Sequence, residues 1–310
     1  MAEHKWYNAE QKQRWIESIQ LEQYPMNYWD VAFTHSYPYE EELGKDLYNF
    51  NKVEIKNMYM RFNFTSYERA MVINYNYAKY TTWAMEQALV DDGMNHYKDF
   101  DNEDLLNCVN LRQLKQSIVT RDDVIQATRV TVNALDAFVV LAIFEGIRGK
   151  AYEDLAYLNM SDFDGNKVKL KSGKVLEISD RLVRLAQETN NAMEYKKVDG
   201  QIQQLVGSHI LKVTGITYTK TGSDVRSSRN IQEVFLRVGE RAGWSDQVSV
   251  NSLHISGIID MVNRLAIEND ITGEEVLYDD ELFDKISYRY DVARPVRKRF
   301  ILKYGDFLQK

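Results

Sequence analysis

Cysteine is almost missing from this 310-residue chain, where Cys108 stands alone. One thiol forms no intrachain disulfide and builds no thiolate zinc site, so a reducing, cytoplasmic setting is expected. Proline is nearly as scarce, at Pro25, Pro38 and Pro295, and there are only 15 glycines. With so few breakers the chain favours helix. Long apolar runs are also lacking. The longest uncharged one, Ala137 to Phe144, has eight residues, whereas a membrane-spanning helix needs about 20. Met1 to Trp6 has neither an apolar core nor a small-residue cleavage site, so no secretory leader is expected. No internal repeat and no low-complexity tract is present.

Positive charge is in deficit. The 39 Lys and Arg face 46 Asp and Glu, a net charge of −7. That total argues mildly against a nucleic-acid partner, but its distribution is uneven. Residues 1–116 carry 12 basic and 18 acidic side chains, and residues 117–310 carry 27 and 28. Lys285 to Lys303 has seven basic side chains against Asp291 alone, and Lys212 to Arg241 has six against three. Aromatic residues, by contrast, are plentiful, with 20 tyrosines, and the first 50 residues are rich in Tyr and Trp. At 44% hydrophobic and 27% charged, the balance is that of a soluble globular protein.

Apolar spacing predicts a helix over about residues 9–22, with Trp15, Ile16 and Ile19 on one face. The aromatic, turn-prone stretch from Pro25 to Pro38 is expected to pack on a neighbouring element. Thr65-Ser-Tyr-Glu68 has capping-box spacing and opens a helix to about Leu89, which Asp91-Asp92-Gly93 stops. Shorter helices are expected at Asp101–Leu106 and Leu111–Lys115. A second capping box, Thr120 to Asp123, leads into the apolar run ending at Phe144. The period then changes. Lys167–Leu170 and Val175–Ile178 alternate about Ser172-Gly173, the pattern of a β-hairpin. Helices resume at Ser179–Asn190, Ile231–Ala242, Ser252–Glu268, Glu274–Phe283 and the C-terminus. The fold class is therefore mainly α with a small β-sheet (α+β), divided near Ser117 into a helical region 1–116 and a second domain 117–310.

The most informative segment is Phe138 to Asp164. An apolar helix runs into Gly146-Ile147-Arg148, then a Glu153-Asp-Leu155-Ala-Tyr-Leu158 helix, then Asp162-Phe163-Asp164 and the hairpin. In order and spacing this resembles the tyrosine recombinase (phage integrase) family. Read from the residues alone, Arg148 could equally be held by Glu145 or Glu153. The resemblance implies a different role, in which the arginine of the turn grips the scissile phosphate through its planar, permanently charged fork. It further implies a lysine at the hairpin as general acid, for which Lys171 and Lys174 are candidates. It also implies a His-x-x-Arg box, matched by His254 but with Gly257 at the arginine position. A second His or Trp is missing from Glu274 to Glu281, whose five carboxylates are expected to face away from DNA. A nucleophilic tyrosine would be Tyr288 or Tyr290. The first domain resembles the helical clamp of two-domain recombinases.

With one arginine clamp absent, the resemblance is to a degenerate member of the family, of the kind that acts as master repressor in SPβ-like Bacillus prophages. The expectation is a sequence-specific DNA-binding protein that represses transcription and maintains lysogeny, with no enzymatic activity, no cofactor and no metal. Its partner would be double-stranded phage operator DNA, with a homo-oligomer or a phage regulatory protein as further partners, no membrane, and a place at the bacterial nucleoid. The expected DNA contacts are Arg148, Lys171, Lys174, Arg226, Arg229, His254, Arg289, Arg294, Arg297 and Lys298. The alternatives are an active recombinase cutting through a phosphotyrosyl link and a helical protein–protein interaction module.

Overall fold

The computed structural model describes residues 6–19, 27–64 and 67–310. The chain divides into two compact units, Met1–Leu114 and Lys115–Lys310. Among the described residues, no helix is long and apolar enough to cross a membrane.

The first unit is helical: α1 (Ala9–Ser18), α2 (Asn27–Leu43), α3 (Lys52–Phe62), α4 (Tyr67–Glu86), α5 (Asn102–Asn107) and the start of α6 (Leu111–Ser117). Its abundant aromatics form its core. Trp15 packs edge-on against Trp29 at 4.5 Å, and Phe33 and Tyr80 close the cluster. Tyrosine suits such a core when each hydroxyl finds an acceptor. Tyr77 donates to the Ala32 carbonyl, Tyr97 to that of Leu47 and Tyr59 to Asn74 Oδ1. The segment expected to be turn-prone is helical from Asn27, and Pro38 lies inside α2. Burial of Trp29 and Phe33 outweighs the lost backbone donor of Pro38. Helix α4 ends at Glu86, before the Asp91–Gly93 stop, where Ala88 takes a left-handed φ of 54°. The Thr65 half of the first capping box and residues 20–26 lie outside the described residues.

In the second unit, Thr120 and Asp123 form the expected capping box at the start of α7 (Arg121–Val130). The centre is α8 (Ala134–Phe144), with every side chain from Leu135 to Phe144 buried. A helix apolar on all sides belongs inside. Next comes the short α9 (Glu153–Ala156). A three-stranded antiparallel sheet follows, β1 (Phe163–Asp164), β2 (Lys167–Lys169) and β3 (Val175–Glu177). In the hairpin Val168 faces Leu176, both buried. Then comes α10 (Asp180–Asn191), capped by Ser179. A second antiparallel sheet, unforeseen in the sequence, comprises β4 (Glu194–Lys196), β5 (Ile202–Val206) and β6 (Val213–Thr214). The remainder is α11 (Gly215–Thr221), α12 (Ser228–Ala242), α13 (Val250–Asn269), α14 (Gly273–Tyr278), α15 (Asp280–Tyr290) and α16 (Arg297–Tyr304). Helices α7, α10, α12 and α13 surround α8.

Candidate nucleic-acid interface

Helix α8 delivers Arg148 through a tight reversal. The Ile147 N–H reaches the Ala142 carbonyl at 2.8 Å and the Gly146 N–H that of Ile143 at 3.2 Å, the paired bonds of a Schellman end. Gly146 has φ 91°, a value only glycine adopts easily. A Cβ there would also meet Arg289 Cγ at 2.8 Å, so the last turn of α15 lies directly on this reversal. Beyond it, Ala151 and Tyr152 both take left-handed φ, 51° and 65°. For a bulky residue this is strained backbone, which tends to gather at functional sites.

Neither carboxylate that could hold Arg148 does so. Glu145 accepts from the Ser179 N–H and hydroxyl and lies 3.8 Å from Arg121. Glu153 pairs with Lys171 at 3.3 Å. Arg148 donates instead to Asn251 Oδ1 at 2.8 Å and lies over the Tyr152 ring. Its half-buried guanidinium thus meets a neutral amide and keeps its positive charge uncompensated among the described residues. Asn251 belongs to the segment resembling the His-x-x-Arg box, yet nothing in the sequence marks it as the arginine's support.

His254 lies beside this arginine, but its Nε2 donates to the Tyr290 carbonyl at 3.2 Å. Burial first, and the Arg148 charge second, push its pKa down to about 4. At neutral pH it is therefore an uncharged residue that braces the end of α15. Gly257, one turn on, cannot carry a side chain. A Cβ there would lie 1.9 Å from the Phe144 carbonyl oxygen and 3.0 Å from the Tyr290 hydroxyl.

The two candidate tyrosines separate. Tyr290 is 3% exposed and its hydroxyl donates to the Phe144 carbonyl at 2.9 Å. Burial raises its pKa well above the ordinary phenol value, so this oxygen neither ionises readily nor reaches an external phosphate from here. Tyr288 is 51% exposed, and its hydroxyl accepts the Val175 N–H at 2.9 Å, docking the hairpin on α15. Lys174 forms an ion pair with Asp291 at the same junction.

The remaining expected contacts scatter. Arg289 turns inward and donates to the carbonyls of Glu145 and Glu177. Arg226 is 7% exposed, bonds the Lys212 carbonyl and lines a cavity beside α12. Arg229 is exposed and pairs with Glu233 one turn along. Two of the seven cations in the strongly basic segment are paired with carboxylates that precede it. Arg294 makes three bonds to Asp284, and Arg297 pairs with Asp280 at 2.7 Å. The carboxylates expected merely to face away thus include one that holds an arginine. Lys171, besides its pair with Glu153, stands 3.8 Å over the Tyr157 ring. Lys298 is exposed.

Among solved structures the chain is similar to a lambda integrase (residues 75–356) dimer bound to a COC′ core site, at 12% identity over 94% of each chain and a TM-score of 0.47. It is also similar to lambda integrase residues 75–356 bound to DNA, at 15% identity over 94% of this chain and 96% of that one, TM-score 0.45. A third is XerA recombinase, at 11% identity over 94% and 93%, TM-score 0.41. No curated protein matched. Two family models match, that of the MrpR N-terminal core-binding domain over residues 6–86 and that of the MrpR C-terminal catalytic domain over residues 118–307. With more than half of its length covered by the second model alone, the chain belongs to the MrpR family and has the two-domain fold of the tyrosine recombinases.

Proposed function

We propose that this protein binds specific DNA sequences on a recombinase fold without cutting them, and that it acts as a transcriptional repressor maintaining phage lysogeny. In this reading residues 1–116 are a core-binding-like clamp and residues 117–310 a catalytic-type domain that has kept its phosphate grip. The observation that carries it is at Gly257. Where the fold family needs a second arginine, α13 lies too close to the end of α8 for any side chain. Two cations acting together stabilise the pentacoordinate transition state, and losing one such donor costs roughly 3–4 kcal/mol. Holding a ground-state phosphate needs far less, and the unpaired Arg148 guanidinium supports that role.

The contacts favoured are Arg148 and Lys298, which form no ion pair among the described residues, with Lys171 and Arg229 contributing only when released from Glu153 and Glu233. Their partner is double-stranded operator DNA of a phage. The net charge of −7 disfavours non-specific coating, which depends on phosphate neutralisation, so selectivity rests on a few sites. A genome-wide map of bound sites tests the repressor role. A few prophage promoters occupied, and derepressed on deletion of the gene, is the expected result; dispersed occupancy without regulatory effect contradicts it.

One observation favours an active recombinase. Tyr288 is half exposed, with Lys174 Nζ 6.0 Å from its ring centre. Covalent trapping on nicked DNA separates the two readings.

A further inference from the structure

Away from the Arg148 face, a cavity of about 530 Å³ opens between the second sheet and helices α11 and α12. Its walls include Tyr195, Gln203, Thr217, Asn230 and two arginines, Arg226 and Arg237. Its size falls in the usual range for small-molecule pockets.

The arginines are the informative part. Arg226 is 7% exposed; its Nε donates to the Lys212 carbonyl, while its Nη2 is buried with no acceptor. Arg237 Nε is likewise buried without an acceptor. One carboxylate stands behind them, Asp136, itself fully buried on α8. Its oxygens accept from the Tyr195 hydroxyl at 3.1–3.2 Å, and Arg237 Nη2 lies 3.8 Å away. Two guanidiniums therefore share one buried carboxylate at the cavity floor, while Lys197, Asp199 and Glu233 also line the walls and Glu233 is paired with Arg229. Burial lowers the Arg226 pKa only to about 10, so it remains charged at neutral pH. Buried donors of a charged group are normally matched by acceptors. Guanidinium forks match the paired oxygens of carboxylates and phosphates.

We propose that this cavity is a binding site for a small oxyanion-bearing molecule, a carboxylate or a phosphate monoester held by Arg226 and Arg237. The Tyr195 ring and Val198 supply apolar wall for the rest of the ligand, and Thr217 and Asn230 supply polar contacts. The site is separate from the proposed phosphate grip at Arg148 and does not depend on the DNA-binding reading.

Full-length protein is titrated by calorimetry, at constant ionic strength in chloride, with succinate, a nucleoside monophosphate and inorganic phosphate. Saturable binding in at least one arm is expected, and the arm that responds identifies the oxyanion. Arg226→Met, Arg237→Met and Asn230→Trp should each weaken it about 10- to 100-fold, the range of a lost charge-assisted bond. Asn230→Trp fills the cavity without touching the arginines, so it keeps the test alive if an arginine variant fails to fold. Arg148→Ala should bind the ligand normally. No saturable binding of any probe up to about 10 mM, or binding unchanged in Asn230→Trp and Arg237→Met, overturns the proposal. So does a loss of duplex affinity in Arg226→Met equal to that in Arg148→Ala, which would make the cavity a DNA-phosphate contact.

Discussion

Gly257 on α13 faces the carbonyl of Phe144, the last residue of α8, so closely that a Cβ would stand 1.9 Å from the oxygen. The same carbonyl accepts the Tyr290 hydroxyl. The place of the missing arginine is thus closed by backbone, and a buried tyrosine seals it. Restoring arginine at this position would require the two helices to separate.

Gly257→Ala is therefore expected to destabilise. In an open helix the change would gain up to about 1 kcal/mol. Here overpacking should reverse the sign, for a net loss of about 1–3 kcal/mol. Urea denaturation measures it, and wild-type or higher stability would show that the helices part easily.

Arg148→Ala should leave the fold intact and weaken specific DNA binding by about tenfold or more. The slope of log affinity against log salt should fall by about one, as expected for one lost phosphate contact. Arg148→Lys should recover only part, since a point charge lacks the planar fork. Unchanged affinity in a mobility-shift titration would mean that Arg148 does not face DNA.

Arg294→Ala and Arg297→Ala, by contrast, should change DNA affinity less than about threefold, because Asp284 and Asp280 already engage these cations. Asp280→Asn should strengthen non-specific binding by freeing Arg297. A loss in Arg294→Ala comparable to that in Arg148→Ala would show that the pairs open on DNA.

The helical frame of the second unit was largely legible in the sequence. The Thr120–Asp123 box, the all-apolar α8 and the hairpin about Ser172-Gly173 carry local signals, because capping and alternation are short-range patterns. The second sheet was missed, since β4 and β6 span only three and two residues and leave no measurable period. Helix α2 was missed because Pro38 reads as a breaker until its aromatic partners are known. In the site, Arg148 and Gly257 stood out only through the family resemblance. Asn251 did not, nor did the Asp280, Asp284 and Asp291 pairings, because net charge over a segment does not say which carboxylate meets which cation. For the same reason the basic run Lys285–Lys303 did not reveal that Arg294 and Arg297 are already paired.

The first unit carries a pH dependence. Lys12, Glu40 and Asp46 are buried together, with Lys12 Nζ 2.7 Å from Glu40 and 3.3 Å from Asp46. One ammonium cannot balance two carboxylates, and burial raises the Glu40 pKa to about 7. The unfolded chain releases this proton at an ordinary carboxylate pKa of about 4.3, whereas the folded chain holds it to about 7. Stability should therefore fall as pH rises through that window, by roughly 1–3 kcal/mol. Glu40→Gln should flatten the trend. Denaturation at pH 5 and pH 8, followed by fluorescence of the buried Trp15 and Trp29, reads this directly, and equal slopes in both proteins would contradict it.

The central claim is DNA binding without cleavage. The measurement that tests it most directly is incubation with a nicked duplex carrying the bound operator, resolved both natively and in SDS. A native shift with no SDS-resistant protein–DNA band is the predicted result. An SDS-resistant band that disappears in Tyr288→Phe would contradict it and make the protein a working recombinase.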